Sequence, residues 1–115
     1  MKIEKFEDII AWKKAKELTI CIYKDFKDNK DYGVRDQIQR ASLSIMNNIA
    51  EGFERQSDKE FKRFLYIAKG SCGEVRSMIY LGFEIGYFTK KKTRDYYNLT
   101  IEIPKLFLGF IKSLN

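Results

Sequence analysis

Residues 34–86 carry two apolar stripes that fit each other when the chain is folded back on itself. The first alternates spacings of four and three through Val34, Ile38, Ala41, Ile45, Asn48 and Gly52. The second does so through Phe61, Leu65, Ala68, Cys72, Val75, Ile79, Gly82 and Gly86. This spacing is typical of helices packed side by side. Folding at the polar break between the stripes pairs six levels in one register, from Gly52 opposite Phe61 to Val34 opposite Ile79. The pattern predicts an antiparallel helical hairpin.

Two further helical patterns flank the hairpin. One stripe before it contains Ala11, Ala15, Leu18, Ile22 and Phe26, and one after it contains Tyr96, Leu99, Ile103, Phe107, Phe110, Ile111 and Leu114. We therefore expect four helices in one domain, at about residues 8–27, 33–55, 58–86 and 90–113. Short links make sequential helices antiparallel neighbours, so the predicted fold is an all-α, up-down-up-down four-helix bundle.

Short polar residues indicate where the first three helices begin. Asp8 is the expected N-cap of the first helix, and the second is expected to start at or just after Asp31, or at Gly33. Ser57 and Glu60 have the spacing of a capping box, in which each side chain bonds the other residue's amide. The sequence therefore predicts a sharp start for the third helix.

Glycine and proline add three local expectations. Gly70 and Gly73 lie inside the third helix, where we interpret them as packing devices that let a neighbouring helix approach closely. Thr89 is expected to cap the fourth helix. Pro104 lies inside that helix and removes the hydrogen bond to the Thr100 carbonyl, so a kink is expected there.

Composition excludes several classes of function. The 115 residues include no histidine, which removes His-based triads and the usual zinc and di-iron bundle sites. Cys21 and Cys72 fall on apolar stripes, where reduced core cysteines are expected rather than a disulfide. No apolar run approaches a membrane span, and the first residues lack the apolar core of a signal peptide. We expect a cytoplasmic protein with no cofactor, no metal and no enzymatic activity.

Four polar residues near the hairpin seam are expected to form a structural network. Asn48 lies on the seam, where a buried amide can fix the register of two helices. In the predicted register Glu51 is level with Lys62, and Arg40 is level with Glu74, so both pairs are expected to be interhelical ion pairs. We expect a structural role for this network rather than catalysis.

A basic cluster at the start of the fourth helix is the main functional candidate. Lys90, Lys91, Lys92 and Arg94 crowd a helix end that already carries partial positive charge, so helix stability does not explain them. Phosphate binding does, and the next residues, Tyr96 and Tyr97, are candidates to stack on unpaired bases. Further candidates lie on the third helix: Lys62, Arg63 and Lys69. Each of these, taken alone, also fits the solvated face of an amphipathic helix.

The chain resembles the four-helix-bundle proteins encoded in intervening sequences of bacterial 23S ribosomal RNA genes. The resemblance runs through Phe6-Glu-Asp, Trp12-Lys-Lys-Ala and Tyr32-Gly-Val-Arg-Asp-Gln-Ile, then most closely through Ser44-Ile-Met-Asn-Asn-Ile-Ala-Glu-Gly-Phe53, Lys59-Glu-Phe-Lys-Arg-Phe-Leu65 and Ala68-Lys-Gly-Ser71. It covers nearly the whole chain. The chain departs from the family at Met46 and Asn47, where a Pro-Ser pair is usual, and at Pro104.

This resemblance implies an assembly and a ligand. The family is similar to the accessory protein of diversity-generating retroelements, a basic pentamer of four-helix bundles that binds nucleic acid and a reverse transcriptase. The resemblance implies a homo-oligomer, with a pentamer as the leading expectation. It also implies that the protein contacts RNA or DNA through phosphates and lacks enzymatic activity. Five copies of a chain with net charge +6 would concentrate about 30 positive charges.

Two alternatives remain open from the sequence. One is a protein-interaction scaffold whose apolar faces dock a protein partner and whose charges only maintain solubility. The other is a nuclease that uses Asp and Glu side chains to hold Mg²⁺, which only scattered carboxylates support.

Overall fold

The structure, a computed structural model, describes residues 3–114 and consists of helices. A 3₁₀ turn at Phe6–Asp8 is followed by α1 (Ile10–Phe26), α2 (Tyr32–Glu54), α3 (Asp58–Glu84) and α4 (Lys90–Ser113). No strand occurs in that described range. The predicted all-α fold is confirmed.

The helices form a four-membered ring in which α1 and α3 each pack against α2 and α4. Pairs of contacts show the helix directions, because residue numbers rise along one helix as they fall along its neighbour. These pairs are Gln37–Glu74 and Ser44–Ser71 for α2 and α3, Tyr80–Tyr97 and Phe61–Phe110 for α3 and α4, and Lys14–Glu102 and Asp25–Lys92 for α1 and α4. The bundle is therefore up-down-up-down, with extents of 44 × 22 × 19 Å.

The two stripes of the hairpin lie in the core. Their fully or almost fully buried members are Ile38, Ala41, Ile45, Leu65, Ala68, Cys72, Val75 and Ile79. At one end of the seam, Gly52 lies directly against Phe61 and Phe64, as the predicted register requires. Burial of these side chains is the main favourable term holding α2 to α3.

The helix starts follow the predicted caps with one exception. Asp31 accepts a hydrogen bond from the Val34 amide at 3.3 Å, and α2 begins at the next residue. Asp8 is not the cap of α1: it lies in the 3₁₀ turn, whose Phe6 carbonyl accepts from the Ile9 amide, and Ile9 occupies the cap position. The local turn thus delays the helix by two residues relative to the sequence expectation.

The third and fourth helices begin at hydroxyl caps. Ser57 Oγ accepts from the Glu60 amide at 3.3 Å, and Thr89 Oγ1 accepts from the Lys92 amide at 3.1 Å. Only this half of the predicted capping box forms, because the Glu60 carboxylate accepts from Arg63 instead. Before α4, Gly86 adopts a left-handed φ of 84° and ends α3.

The expectation for Gly70 and Gly73 is wrong. A Cβ atom at either position would have nothing within 4 Å, so neither glycine admits a neighbouring helix of this chain. The close approaches occur at Gly52, where a Cβ would lie 2.6 Å from Phe64 Cβ, and at Gly82, where it would lie 2.7 Å from the Phe88 ring. Ala41 and Cys72 fill the seam beside the exposed Gly70 and the half-buried Gly73.

Pro104 does not split α4, which runs from Lys90 to Ser113. The Thr100 carbonyl loses the amide of residue 104 as a partner. It accepts a hydrogen bond from Arg76 Nη1 of α3 at 3.2 Å instead. A guanidinium from the neighbouring helix thus satisfies the carbonyl that the proline leaves free.

A matched pair of glycine substitutions tests this packing. Gly52→Ala is expected to lower the free energy of unfolding by about 1–3 kcal/mol, because Phe64 Cβ cannot move aside without its backbone. Gly70→Ala is expected to raise it by about 0.5–1 kcal/mol through helix propensity alone. Urea denaturation followed by circular dichroism measures both. Equal effects at the two positions would contradict the register.

A double-mutant cycle tests the Arg76 contact. Arg76→Met is expected to lower the free energy of unfolding by about 1–3 kcal/mol, since it leaves the Thr100 carbonyl without its donor. In a Pro104→Ala background the loss should be smaller, because the restored amide can donate to the same carbonyl. The same loss in both backgrounds would show that Arg76 acts through something else.

Candidate nucleic-acid interface

Three cations of α3 share one side of the helix because they are seven residues apart. Seven residues make about two turns, so Lys62, Lys69 and Arg76 follow one line along α3. Arg76 reaches the Thr100 carbonyl of α4, and Tyr80, one turn further on, touches Tyr97 of α4. This line of cations therefore faces the outer groove between α3 and α4.

Helix α4 supplies the other wall of the groove. Lys90, Arg94 and Tyr97 recur at spacings of four and three, and Lys105 follows Tyr97 at eight residues, so all four share one side of α4. We define the basic face as the six cations on these two helix sides: Lys62, Lys69, Arg76, Lys90, Arg94 and Lys105. Lys62 and Arg76 are half-buried, and the other four are exposed.

Three carboxylates of the two helices are directed elsewhere. Glu74 of α3 lies on the α2 side, where it accepts from Gln37. On α4, Glu102 pairs with Lys14 of α1 at 2.8 Å and Asp95 pairs with Lys91. Within residues 3–114 none of the six cations of the basic face makes an ion pair. Positive charge is thus concentrated along one groove, where Glu84 of α3 is a neighbouring carboxylate.

An aromatic groove lies at the α4 N-terminal end of the basic face. It has a volume of about 400 Å³ and is lined by Ile79, Tyr80, Phe83, Glu84, Lys90, Thr93, Arg94 and Tyr97. The Tyr80 and Tyr97 rings meet edge to face, with centroids 5.8 Å apart. Tyr80 is 55% exposed and Phe83 is 41% exposed. A side-chain hydrogen bond with Tyr97 raises the pKa of the Tyr80 hydroxyl above its ordinary value.

The predicted basic cluster divides into two parts. Lys90 and Arg94 belong to the basic face. Lys91 and Lys92 do not, because Lys91 pairs with Asp95 at 2.9 Å and Lys92 pairs with Asp25 of α1 at 3.2 Å. These two carboxylates compensate half of the charge that the sequence places at the start of α4.

The two predicted stacking tyrosines also separate. Tyr96 is buried, its hydroxyl donates to Asp25, and its ring packs edge to face on Phe88. Burial is the main cause that raises the pKa of Tyr96, and the bond to Asp25 adds to it. Tyr96 therefore cannot stack on a base, whereas Tyr97 reaches the groove. Consecutive helical residues point about 100° apart, so only one of the two can face outward here.

Of the three candidates on α3, two lie on the basic face. Lys62 and Lys69 lie on the basic face, about 30 Å and 20 Å along α3 from Phe83. Arg63 does not: its Nε donates to Glu60 at 2.9 Å, and its guanidinium stacks over the Phe64 ring at 4.6 Å. The bond to Glu60 is the main cause that raises the pKa of Arg63.

A structural polar network exists, but with other members than expected. Asn48 Nδ2 donates to the Ser44 carbonyl at 2.8 Å and to Ser44 Oγ at 2.9 Å. Ser44 Oγ lies 3.0 Å from Ser71 Oγ, so the network crosses from α2 to α3. Asn48 thus links the two helices through a serine pair.

The expected ion pairs of Glu51 and Arg40 do not form. Glu51 accepts from Arg55 of its own helix at 2.6 Å rather than pairing with Lys62. Glu74 accepts from Gln37, and Arg40 is exposed with no ion pair in the described part of the chain. Arg55, one turn from Glu51, reaches that carboxylate with less loss of rotamer freedom than Lys62 across the helix pair.

No cluster of three or more Cys, Asp or Glu side chains suited to a metal ion occurs within residues 3–114. In the same range no helix is long and apolar enough to span a membrane. Both cysteines are free. Burial raises the pKa of the Cys72 thiol to about 12, so it carries almost no thiolate at neutral pH.

Sequence reasoning missed four residues of this site as functional candidates: Arg76, Lys105, Tyr80 and Phe83. The signal that could have found Arg76 is its seven-residue spacing from Lys69 and Lys62, which predicts one continuous line along a helix. The position of Lys105 beside that line depends on how α4 is rotated against α3, which a single helical pattern does not give.

The fold and the groove define a four-helix bundle with one basic, aromatic-ended face. The chain belongs to the family of 23S rRNA-intervening sequence proteins, whose model matches residues 7–109. It is similar to the crystal structure of a protein of unknown function from the S23 ribosomal protein family of Bacteroides thetaiotaomicron VPI-5482. The TM-score is 0.82 at 29% identity, over 90% of this chain and 99% of that chain. The search of curated proteins finds no significant match.

Thiol labelling tests the burial of Cys72. At pH 8 the half-buried Cys21 is expected to react with iodoacetamide, whereas Cys72 should react at least a hundredfold more slowly until the protein is unfolded. Mass spectrometry of labelled peptides with and without urea measures both rates. Fast native labelling of Cys72 would show that the seam between α2 and α3 opens readily.

Proposed function

We propose that this protein is a non-enzymatic, self-associating protein that binds RNA or DNA through the phosphate backbone. The basic face carries the proposal: its six cations lie on adjoining sides of α3 and α4, and none makes an ion pair within residues 3–114. Uncompensated Lys and Arg side chains along a groove attract phosphates and release counterions on binding. The two free cysteines fit the reducing cytoplasm, where we place this function.

The family description supports RNA as the first ligand to test. The matched family is named for intervening sequences of 23S rRNA. That name refers to ribosomal RNA and does not state what this chain binds. The choice of RNA is therefore part of the proposal. Phosphate contacts position a nucleic acid without reading its sequence, and we expect weak sequence preference.

Self-association is the second part of the proposal. Ile67 and Ile85 are 42% and 47% exposed, and they lie 18 residues, or about five turns, apart on one side of α3. Leu81, 45% exposed, adjoins this line. This apolar flank lies on the α2 side, away from the basic face, so covering it with another copy leaves the groove open. We propose a homopentamer, following the family resemblance.

Light scattering tests the assembly. A pentamer is expected to have a mass of about 68 kDa, five times the chain mass of 13.6 kDa. Ile67→Lys combined with Ile85→Lys should reduce the mass to that of smaller species, because charge on the flank opposes its burial. The same substitutions at exposed Leu43 and Leu108 serve as the matched control. A monomer in the unsubstituted protein would contradict the proposed assembly.

A charge-matched pair of triple variants tests nucleic-acid binding. Lys69→Gln, Lys90→Gln and Arg94→Gln together are expected to lower the slope of log K against log salt by about 2–3 per bound chain. The control triple is Lys13→Gln, Lys24→Gln and Lys27→Gln, which removes the same charge from exposed positions on or next to α1. Fluorescence anisotropy with a labelled RNA from 50 to 200 mM salt measures the slope.

The outcome separates the proposal from the scaffold alternative. Equal loss in both triple variants would show that net charge, not the basic face, drives binding. Exposed apolar side chains favour the alternative of a protein-interaction scaffold. In that case the slope of log K against log salt for RNA should be near zero. Association with a protein partner should persist at high salt.

A further inference from the structure

We propose that the aromatic groove formed by Tyr80, Phe83 and Tyr97 binds an unpaired base of a single-stranded nucleic acid, with the adjoining phosphates on Lys90 and Arg94. This inference rests on the proposed function and adds to it. The basic face alone attracts any phosphate backbone, duplex or single-stranded. The aromatic groove would make the protein bind single strands more tightly than duplexes.

The ring geometry suits one base. Tyr80 and Tyr97 are inclined by 69°, so they form two walls rather than a closed stack. More than half of Tyr80 and two-fifths of Phe83 remain exposed at the groove. Its volume of about 400 Å³ lies within the ~300–1,000 Å³ range of small-ligand pockets. A planar base can therefore lie on one ring with its edge against the other.

The charges beside the rings match the phosphates of a strand. Lys90 and Arg94 line the same groove and make no ion pair in the described residues. They are one turn apart on α4, or ~6 Å along the helix. Glu84 is the carboxylate among the lining residues and lies beside Phe83. The cations outnumber it, so the groove attracts an anionic strand while the rings receive its base.

The aromatic groove favours a single strand over a duplex. Bases in a duplex are stacked on one another and must be extruded before an aromatic side chain can reach their faces. A single strand presents those faces without this cost. The rest of the basic face, from Lys69 to Lys62, can then follow the strand along the bundle.

The other grooves lack this combination. A groove of about 610 Å³ on α1 contains Trp12 and two lysines, but Glu7 and Glu17 also line it. Two grooves at the opposite end of the bundle are lined by carboxylates of Glu4 and Asp8, or of Glu4, Glu54 and Asp58. Among the grooves found within residues 3–114, the one beside Tyr97 joins exposed rings to two unpaired cations.

The test compares a 15-nucleotide single-stranded RNA with the duplex of the same length, at one salt concentration, by fluorescence anisotropy. Tyr97→Leu is expected to weaken single-strand binding by between about fivefold and a hundredfold, the effect of losing one base–ring stack. Duplex binding should change by less than twofold. Tyr97→Phe keeps the ring and should retain single-strand affinity. Trp12→Leu is the control for a half-buried ring elsewhere, and thermal unfolding confirms that each variant folds.

The results separate this inference from the proposed function. Equal losses for single strand and duplex, or an equal loss in Tyr97→Phe and Tyr97→Leu, would overturn the base-binding groove. If the Lys69, Lys90 and Arg94 triple variant still bound RNA more weakly than the unsubstituted protein, the proposed function would remain supported. If that triple variant also bound both RNAs normally, the proposed function itself would be wrong. A Trp12→Leu loss equal to that of Tyr97→Leu would move the base site to α1.

Discussion

The close packing of α2 against α3 determines where every functional side chain of α3 points. Gly52 allows Phe61 and Phe64 to meet α2 without a gap, and the buried line from Leu65 to Ile79 continues that contact along the seam. Because the seam fixes how α3 is rotated, one flank beside it must face α4. Lys62, Lys69 and Arg76 occupy that flank. The basic face is therefore a consequence of core packing as much as of surface composition.

Arg76 joins the fold to the proposed function. Pro104 leaves the Thr100 carbonyl without its helical partner, and the Arg76 guanidinium supplies a donor across the groove. That contact holds a cation at the middle of the basic face and ties α3 to α4 at the same level. Buried carbonyl groups without partners are costly, so this arginine stabilises the bundle while its charge remains part of the groove.

Local pattern predicted the fold well because the core follows helical spacing. The four helices, the seam and three of the caps depend on residues within a few positions of one another. The candidate site also depends on contacts between residues that are far apart in the sequence. Lys92 is compensated by Asp25, 67 residues earlier, and Tyr96 turns into the core toward the same carboxylate. Gly70 faces away from the seam that its sequence neighbours form. The pairing of Lys92 and the burial of Tyr96 do not follow without the rotation of α1 and α4 in the bundle.

Lysine footprinting with and without a short RNA tests the central claim most directly, because it maps the contact on the unsubstituted protein. Acetylation of exposed amines followed by mass spectrometry reports each lysine separately. The basic face predicts protection of Lys69, Lys90 and Lys105, while Lys13, Lys24 and Lys27 stay reactive. Bound RNA that protects the α1 lysines and leaves the α3/α4 groove reactive would contradict the account.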